Sequence, residues 1–220
     1  MNSGLLDGLP LLQQLALAHA PPQHRPAAIS AFALDARLAQ FVSQASEPLV
    51  AQLRLAWWRD ELGKLPVDRA KGDAVLDMLG SDWTNGEAKL VALVDGWEQL
   101  LAEPPLPADA LAEFAAGRSA VFAGLAGLAG HESNHSEAQR AGSIWALGDL
   151  AAHMADADER NFVIGQAQAQ IEAPIRLPRP LRHLTIMGEI ARRSLLQGGS
   201  VLLSSRGDYL TIARIGLLGR

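Results

Sequence analysis

Apolar residues recur at three- and four-residue spacing along almost the whole chain of 220 residues, and strict two-residue alternation is nearly absent. That periodicity fits helices that bury one stripe each and leaves little room for strands. Ala and Leu dominate, and the breaks fall at Pro/Gly clusters such as "PPQHRP", "AEPPLPADA" and "APIRLPRP". The sequence predicts helices over about 9–20, 26–45, 46–63 (starting near Ser46), 67–79, 84–102, 108–129, 136–155, 180–198 and 207–218. Pro26 and Pro48 fall in first turns, where a missing N–H is harmless. Ser136 and Gln139 have the spacing of a capping box. No repeat, low-complexity tract or long linker divides the chain. The expected fold is one all-α domain, a bundle of eight to ten helices over 1–220, with an N-terminal helix and loop (1–25) and basic C-terminal helices (171–220).

The stretch Arg54–Leu62, "RLAWWRDEL", holds two of the five Trp. At 100° per residue, Ala51, Leu55, Trp58 and Leu62 form one stripe. Leu49, Val50, Leu53, Ala56 and Trp57 form another, roughly opposite, and Asp60 falls inside it. Gln52 and Arg59 share one polar seam, Arg54 and Glu61 the other. Two apolar faces predict a central helix packed on both sides. Asp60 then needs either a buried Arg or a cavity. Residues 108–129 are rich in small side chains (Ala115, Ala116, Gly117, Ala120, Gly124, Gly127), which admit a neighbouring backbone.

The net charge of −5 conceals an asymmetry. Residues 1–170 carry 11 Lys/Arg against 21 Asp/Glu, whereas 171–220 carry 8 Arg against 3 acids. Such a tail either docks on the acidic body or meets an anionic partner, and Arg176, Arg179, Arg182, Arg192 and Arg193 are the candidates for an anion or membrane surface. Nucleic acid is not expected, because aromatics are not interleaved with these arginines apart from Tyr209. The chain has no Cys, so disulfides and thiolate metal sites are excluded and a reducing compartment is expected. The N-terminal segment lacks a basic n-region, and no secretory signal is expected. No uninterrupted apolar run reaches bilayer-spanning length, so the expectation is a soluble or peripheral cytoplasmic protein.

"AISAFALDARLAQFVSQASEPLVAQLRLAWWRDELGKL" resembles the early segment of the squalene/phytoene synthase family. The resemblance continues through "LVALVDGWEQLLAE" and "EFAAGRSAVFAGLAGLAG", then "LPRPLRHLTIMGEIARRSL" and "IARIGLLGR". It implies the all-α isoprenoid synthase fold around a central cavity. Catalytic members join two prenyl diphosphates head to head, and aspartate-rich motifs on facing helices hold Mg²⁺ against the diphosphates. This sequence departs from both motifs. The first acidic pair would be Asp35 and Ala39, or Arg37 and Phe41. In the second, Ala151 and Ala152 replace an Arg-Asp, and only Asp156 remains. Depleted aspartates beside a well-kept tryptophan stretch look like the degenerate branch that resembles mitochondrial respiratory complex I assembly factors, which associate with the inner membrane.

Two functions therefore stand as expectations. The first is a non-catalytic protein that binds a partner protein, a lipid or an isoprenoid, peripheral to the inner membrane, with no cofactor. The alternative is an active Mg²⁺-dependent prenyltransferase using Asp35, Asp60, Asp149 and Asp156. Asp149, His153 and Asp156 would share one helical face if that helix runs far enough; a solvated polar face is the plainer reading. His131 and His135 stand in an expected loop and are not read as a metal site.

Overall fold

The computed structural model describes residues 3–45 and 47–219. Among these the chain forms eleven α-helices and no strand. They are α1 (Ser3–Asp7), α2 (Leu11–Leu17), α3 (Arg25–Ser43), α4 (Pro48–Gly63), α5 (Ala74–Asp82), α6 (Glu87–Gln99), α7 (Ala108–Leu128), α8 (His135–His153), α9 (Ala157–Ala167), α10 (Arg182–Leu196) and α11 (Arg206–Leu218). One hydrophobic core runs from Leu9 to Ile215. Eleven helices exceed the eight to ten expected, for local reasons. Pro10 separates α1 from α2. The acidic stretch after α8 starts a helix of its own, because the Asp156 carboxylate accepts from the backbone N–H groups of Asp158 and Glu159. Ser46, the expected start of the third helix, lies outside the described residues; α4 begins at Pro48.

The helix expected from about 67 begins only at Ala74, where the Asp73 carboxylate caps it, while other starts follow the sequence more closely. Pro26 and Pro48 sit in the first turns of α3 and α4. The expected Ser136–Gln139 capping box is absent: a 3₁₀ turn, Glu132–Asn134, leads straight into α8 at His135. A capping box does form at α11, between Ser205 and Asp208.

The centre of the bundle is α7, which packs along α6 and α8; α8 packs in turn on α10. Two glycines set these spacings. A Cβ on Gly117 would stand 2.5 Å from the Ala92 carbonyl oxygen of α6, and one on Gly142 of α8 would stand 2.8 Å from Ser119 Cα. Both contacts flank Arg118, so α7 is gripped from two sides at that level. By length and composition α7 is apolar enough to cross a membrane, but 61% of that apolar window is buried inside the protein.

The reading of α4 as a doubly packed helix is corrected. Its first stripe is core, with Leu55 and Leu62 fully buried and Trp58 at 2% exposure. Its second face meets solvent: Leu53 is 64% and Trp57 42% exposed, and Asp60 is exposed among them. α4 lies at the edge of the bundle, packing mainly against α6 and α3. The polar seams tie it down. Arg59 donates to Asp95 (2.6 Å) and to Glu98 on α6, and the Arg54 guanidinium lies 5.3 Å from the Phe41 ring centre. Asp60 thus needs neither a buried Arg nor a cavity.

Candidate functional site

The site is built around one buried cation. Between Phe114 and Leu128, α7 carries a single charged residue, Arg118, at 2% exposure. A guanidinium there requires charge partners and donors satisfied on every side. Asp35 of α3, itself 2% exposed, accepts from Nε on Oδ1 and from Nη2 on Oδ2, both at 2.9 Å. Asp149 of α8 accepts from Nη1 on Oδ2 at 2.8 Å. The Trp97 indole N–H adds a third bond to Asp35, at 2.9 Å to Oδ1. Aromatic rings enclose the guanidinium: its central carbon lies 4.0 Å from the Trp145 ring centre, 4.9 Å from Trp97 and 5.0 Å from Phe114.

Electrostatics follow from burial and pairing. Desolvation disfavours the Arg118 charge, but Asp35 and Asp149 outweigh it and hold the guanidinium above its ordinary value. Burial pushes the Asp35 carboxyl up, against the pull of Arg118 and the Trp97 N–H. With all three groups ionised the cluster carries one net negative charge, and Asp149, with its side chain 25% exposed, is its wet end.

That wet end opens into a cavity of about 490 Å³, within the usual range for small-molecule sites. Asp35, Arg118, Asp149 and Trp145 form one part of the wall, and Leu12, Ala36, Ala39 and Leu202 form apolar parts. Leu11, Val201 and Tyr209 also line it and are 52%, 65% and 46% exposed, so they stand at the mouth. The Gln13 side-chain oxygen is buried at this cavity and has no hydrogen-bond partner among the described residues. His153 Nδ1 donates to the Asp149 carbonyl oxygen at 2.7 Å, and its ring reaches the cavity rim. The polar end thus sets acceptors of Asp149 and Gln13 beside a guanidinium whose five N–H groups make three hydrogen bonds, to Asp35 and Asp149.

Of the four candidate carboxylates, the structure brings together Asp35 and Asp149. Asp60 is on the outer face of α4. Asp156 caps α9 instead of continuing the α8 face, because α8 ends at His153. The stripe of Asp149, His153 and Asp156 is thus broken. On the other alignment of the first motif, Arg37 pairs with Asp73 and lies 5.6 Å over Trp58, and Phe41 packs under Arg54. Among the described residues no three His, Asp or Glu side chains gather as a metal-binding group, His131 and His135 included.

The tail arginines divide into two kinds. Arg182 donates to the carbonyls of His19 and Gly216, Arg192 to Glu189 and the Ile171 carbonyl, and Arg193 to Asp208. Arg182 thus ties α10 to the body and to α11, whereas Arg192 and Arg193 bond within the C-terminal segment, to Ile171 and to α11. Arg176 and Arg179 are exposed. The residue the sequence reading passed over is Arg118. Its signal was available: a lone charge in the middle of an Ala/Gly-rich helix must find a counter-ion.

Compared with protein-family models, curated proteins and solved structures, the chain matches none.

Proposed function

We propose that this protein is a squalene/phytoene synthase-like scaffold that binds an isoprenoid or other lipid without turning it over, working peripherally at a membrane in the manner of an assembly factor. The observation that carries this reading is the position of Arg118. In a two-motif synthase, carboxylates from facing helices are free to hold Mg²⁺ ions against a diphosphate. Here the two carboxylates that face each other, Asp35 and Asp149, are bridged by a guanidinium that fills the space between them. A buried Arg in that place supplies the positive charge that metal ions would supply, and its bidentate bond fixes Asp35.

The alternative, a Mg²⁺-dependent prenyltransferase, needs Asp35 and Asp149 to release Arg118 into an apolar, aromatic shell. That exchange is strongly opposed by the cost of an unpaired buried charge. The net negative charge of the cluster, the partly exposed Asp149 carboxylate and the Gln13 oxygen favour a ligand whose head donates hydrogen bonds over one that is anionic. A prenyl alcohol meets this description; a prenyl diphosphate does not.

Calorimetric titration tests the reading. Farnesol in detergent-free buffer should bind with one-to-one stoichiometry, and Gln13→Leu should weaken it about tenfold, as expected for one lost hydrogen bond to a buried group. Farnesyl diphosphate should bind more weakly than farnesol, with or without Mg²⁺. Tighter Mg²⁺-dependent binding of the diphosphate would favour the prenyltransferase.

A further inference from the structure

The outer face of α11 sets large exposed leucines among arginines. Leu210, Leu217 and Leu218 are 71%, 72% and 65% exposed. At 100° per residue they fall within one arc with Ala213, and Arg206 and Arg214 fall inside the same arc, with Tyr209 on one edge. The charged residues exposed on this helix, Arg206 and Arg214, are both basic. The acid of α11, Asp208, is 4% exposed and faces inward to Arg193. Apolar residues, an interfacial Tyr and Arg without exposed acid are the make-up of a helix that lies in a bilayer interface. The other exposed apolar face, on α4, has Asp60 among its leucines and lacks this charge bias.

Two openings border α11. On the Tyr209 side is the mouth of the cavity described above. Beside Arg214 is a second pocket of about 450 Å³, lined by Arg176, Arg214, Thr185 and Glu189. Thr185 is 4% exposed, and its hydroxyl has no partner among the described residues. The Glu189 carboxylate is already engaged, accepting from the Ile175 N–H and from Arg192. What the pocket has left to offer is two guanidinium groups and one unpartnered hydroxyl, the donor set that suits a phosphate.

We propose that this side of the molecule docks on a bilayer containing anionic phospholipid. The leucines of α11 enter the headgroup–acyl boundary, and a lipid phosphate sits in the pocket between Arg176, Arg214 and the Thr185 hydroxyl. The cavity mouth then faces the bilayer, so an apolar ligand passes in without crossing water. This rests on the peripheral-membrane part of the proposed function and names the surface and the lipid class.

Co-sedimentation of the full chain with vesicles tests it, comparing phosphatidylcholine alone with phosphatidylcholine containing phosphatidylglycerol. The wild type should bind the anionic vesicles at low salt, and high salt should release it. Arg176→Gln with Arg214→Gln should weaken that binding about tenfold or more, from roughly one surface charge contribution each. Leu210→Glu with Leu217→Glu should abolish it. These four positions are solvent-facing, so circular dichroism should be unchanged. Thr185→Val removes the unpartnered hydroxyl; it should leave thermal stability equal or higher while lowering the preference for anionic vesicles.

Wild-type binding that the α11 leucine pair and the arginine pair both leave intact would overturn this face while sparing the membrane reading. Equal binding to neutral and anionic vesicles would overturn the phosphate pocket. A wild type that binds no vesicle would sink the membrane reading itself, and self-association lost in Leu217→Glu would give the face to a second copy of the chain.

Discussion

Arg118 Nε and Nη2 grip both oxygens of Asp35 at 2.9 Å, inside the bundle and 83 residues apart in sequence. This fork ties α7 to α3, and the third bond, from Nη1 to Asp149, ties both to α8. The consequence is a rule about substitutions. Removing one partner is worse than removing both, because the survivor is left charged and dry. Arg118→Met should cost about 3–5 kcal/mol. Arg118→Met with Asp35→Leu should recover most of that. Urea denaturation midpoints of the two variants check the ordering, and a double variant less stable than the single one contradicts it.

The adjacent tryptophans should respond oppositely to truncation. Trp58 is 2% exposed in the core, and Trp57, stacked edge-on against it at 5.4 Å, is 42% exposed. Trp58→Ala should destabilise by about 3–5 kcal/mol. Trp57→Ala should cost well under about half of that, because its face of α4 has no core to collapse. Thermal melts of the pair decide whether α4 is an edge helix in solution.

Gly117 sets the approach of α7 to α6. An added methyl would meet the backbone of Ala92 and Leu93, at 2.5 Å and 3.1 Å, where nothing can rotate away. Gly117→Ala should therefore destabilise by about 1–3 kcal/mol despite its better helix propensity. Because Arg118 is the next residue, the strain should also loosen its grip on Asp149 and weaken binding of a cavity ligand. Stability and farnesol titration read the two effects separately.

Acid should unfold the protein partly through His183. The ring is 1% exposed, and both of its nitrogens lack partners among the described residues. Burial, then the charges of His24, Arg182 and Arg25, push its pKa down to about 3. The unfolded chain takes up this proton near pH 6.5, and the folded one holds out until about 3. Stability is thus full above pH 6.5 and falls as pH drops, by up to about 1.4 kcal/mol per unit. His183→Leu should flatten that limb. Chevron or urea midpoints at pH 7 and pH 5 measure the difference, and parallel slopes for the variant and wild type contradict it.

The all-α character and most helix starts were legible because they are local. Pro26, Pro48 and the Pro/Gly clusters act on their own neighbours, and helical spacing is visible in any window. The exposure of Trp57 was not legible. A helical wheel separates two apolar faces, but it does not say which face finds a neighbour, and α4 finds one on a single side. The α9 helix was missed because its start depends on one Asp156 cap in a stretch that composition alone marks as solvated. The cluster of Asp35, Arg118 and Asp149 was half visible. Both carboxylates were singled out, but the cation between them sits on a third helix, and only tertiary packing joins the three.

The most direct test of the central idea is a pyrophosphate-release assay. The protein is incubated with farnesyl or geranylgeranyl diphosphate and Mg²⁺, and released pyrophosphate is followed over hours. A scaffold in which Arg118 occupies the space between Asp35 and Asp149 should release none above the protein-free control. Release that the wild type sustains and that Asp35→Ala or Asp149→Ala abolishes would contradict the account, since those carboxylates would then be holding metal and not Arg118.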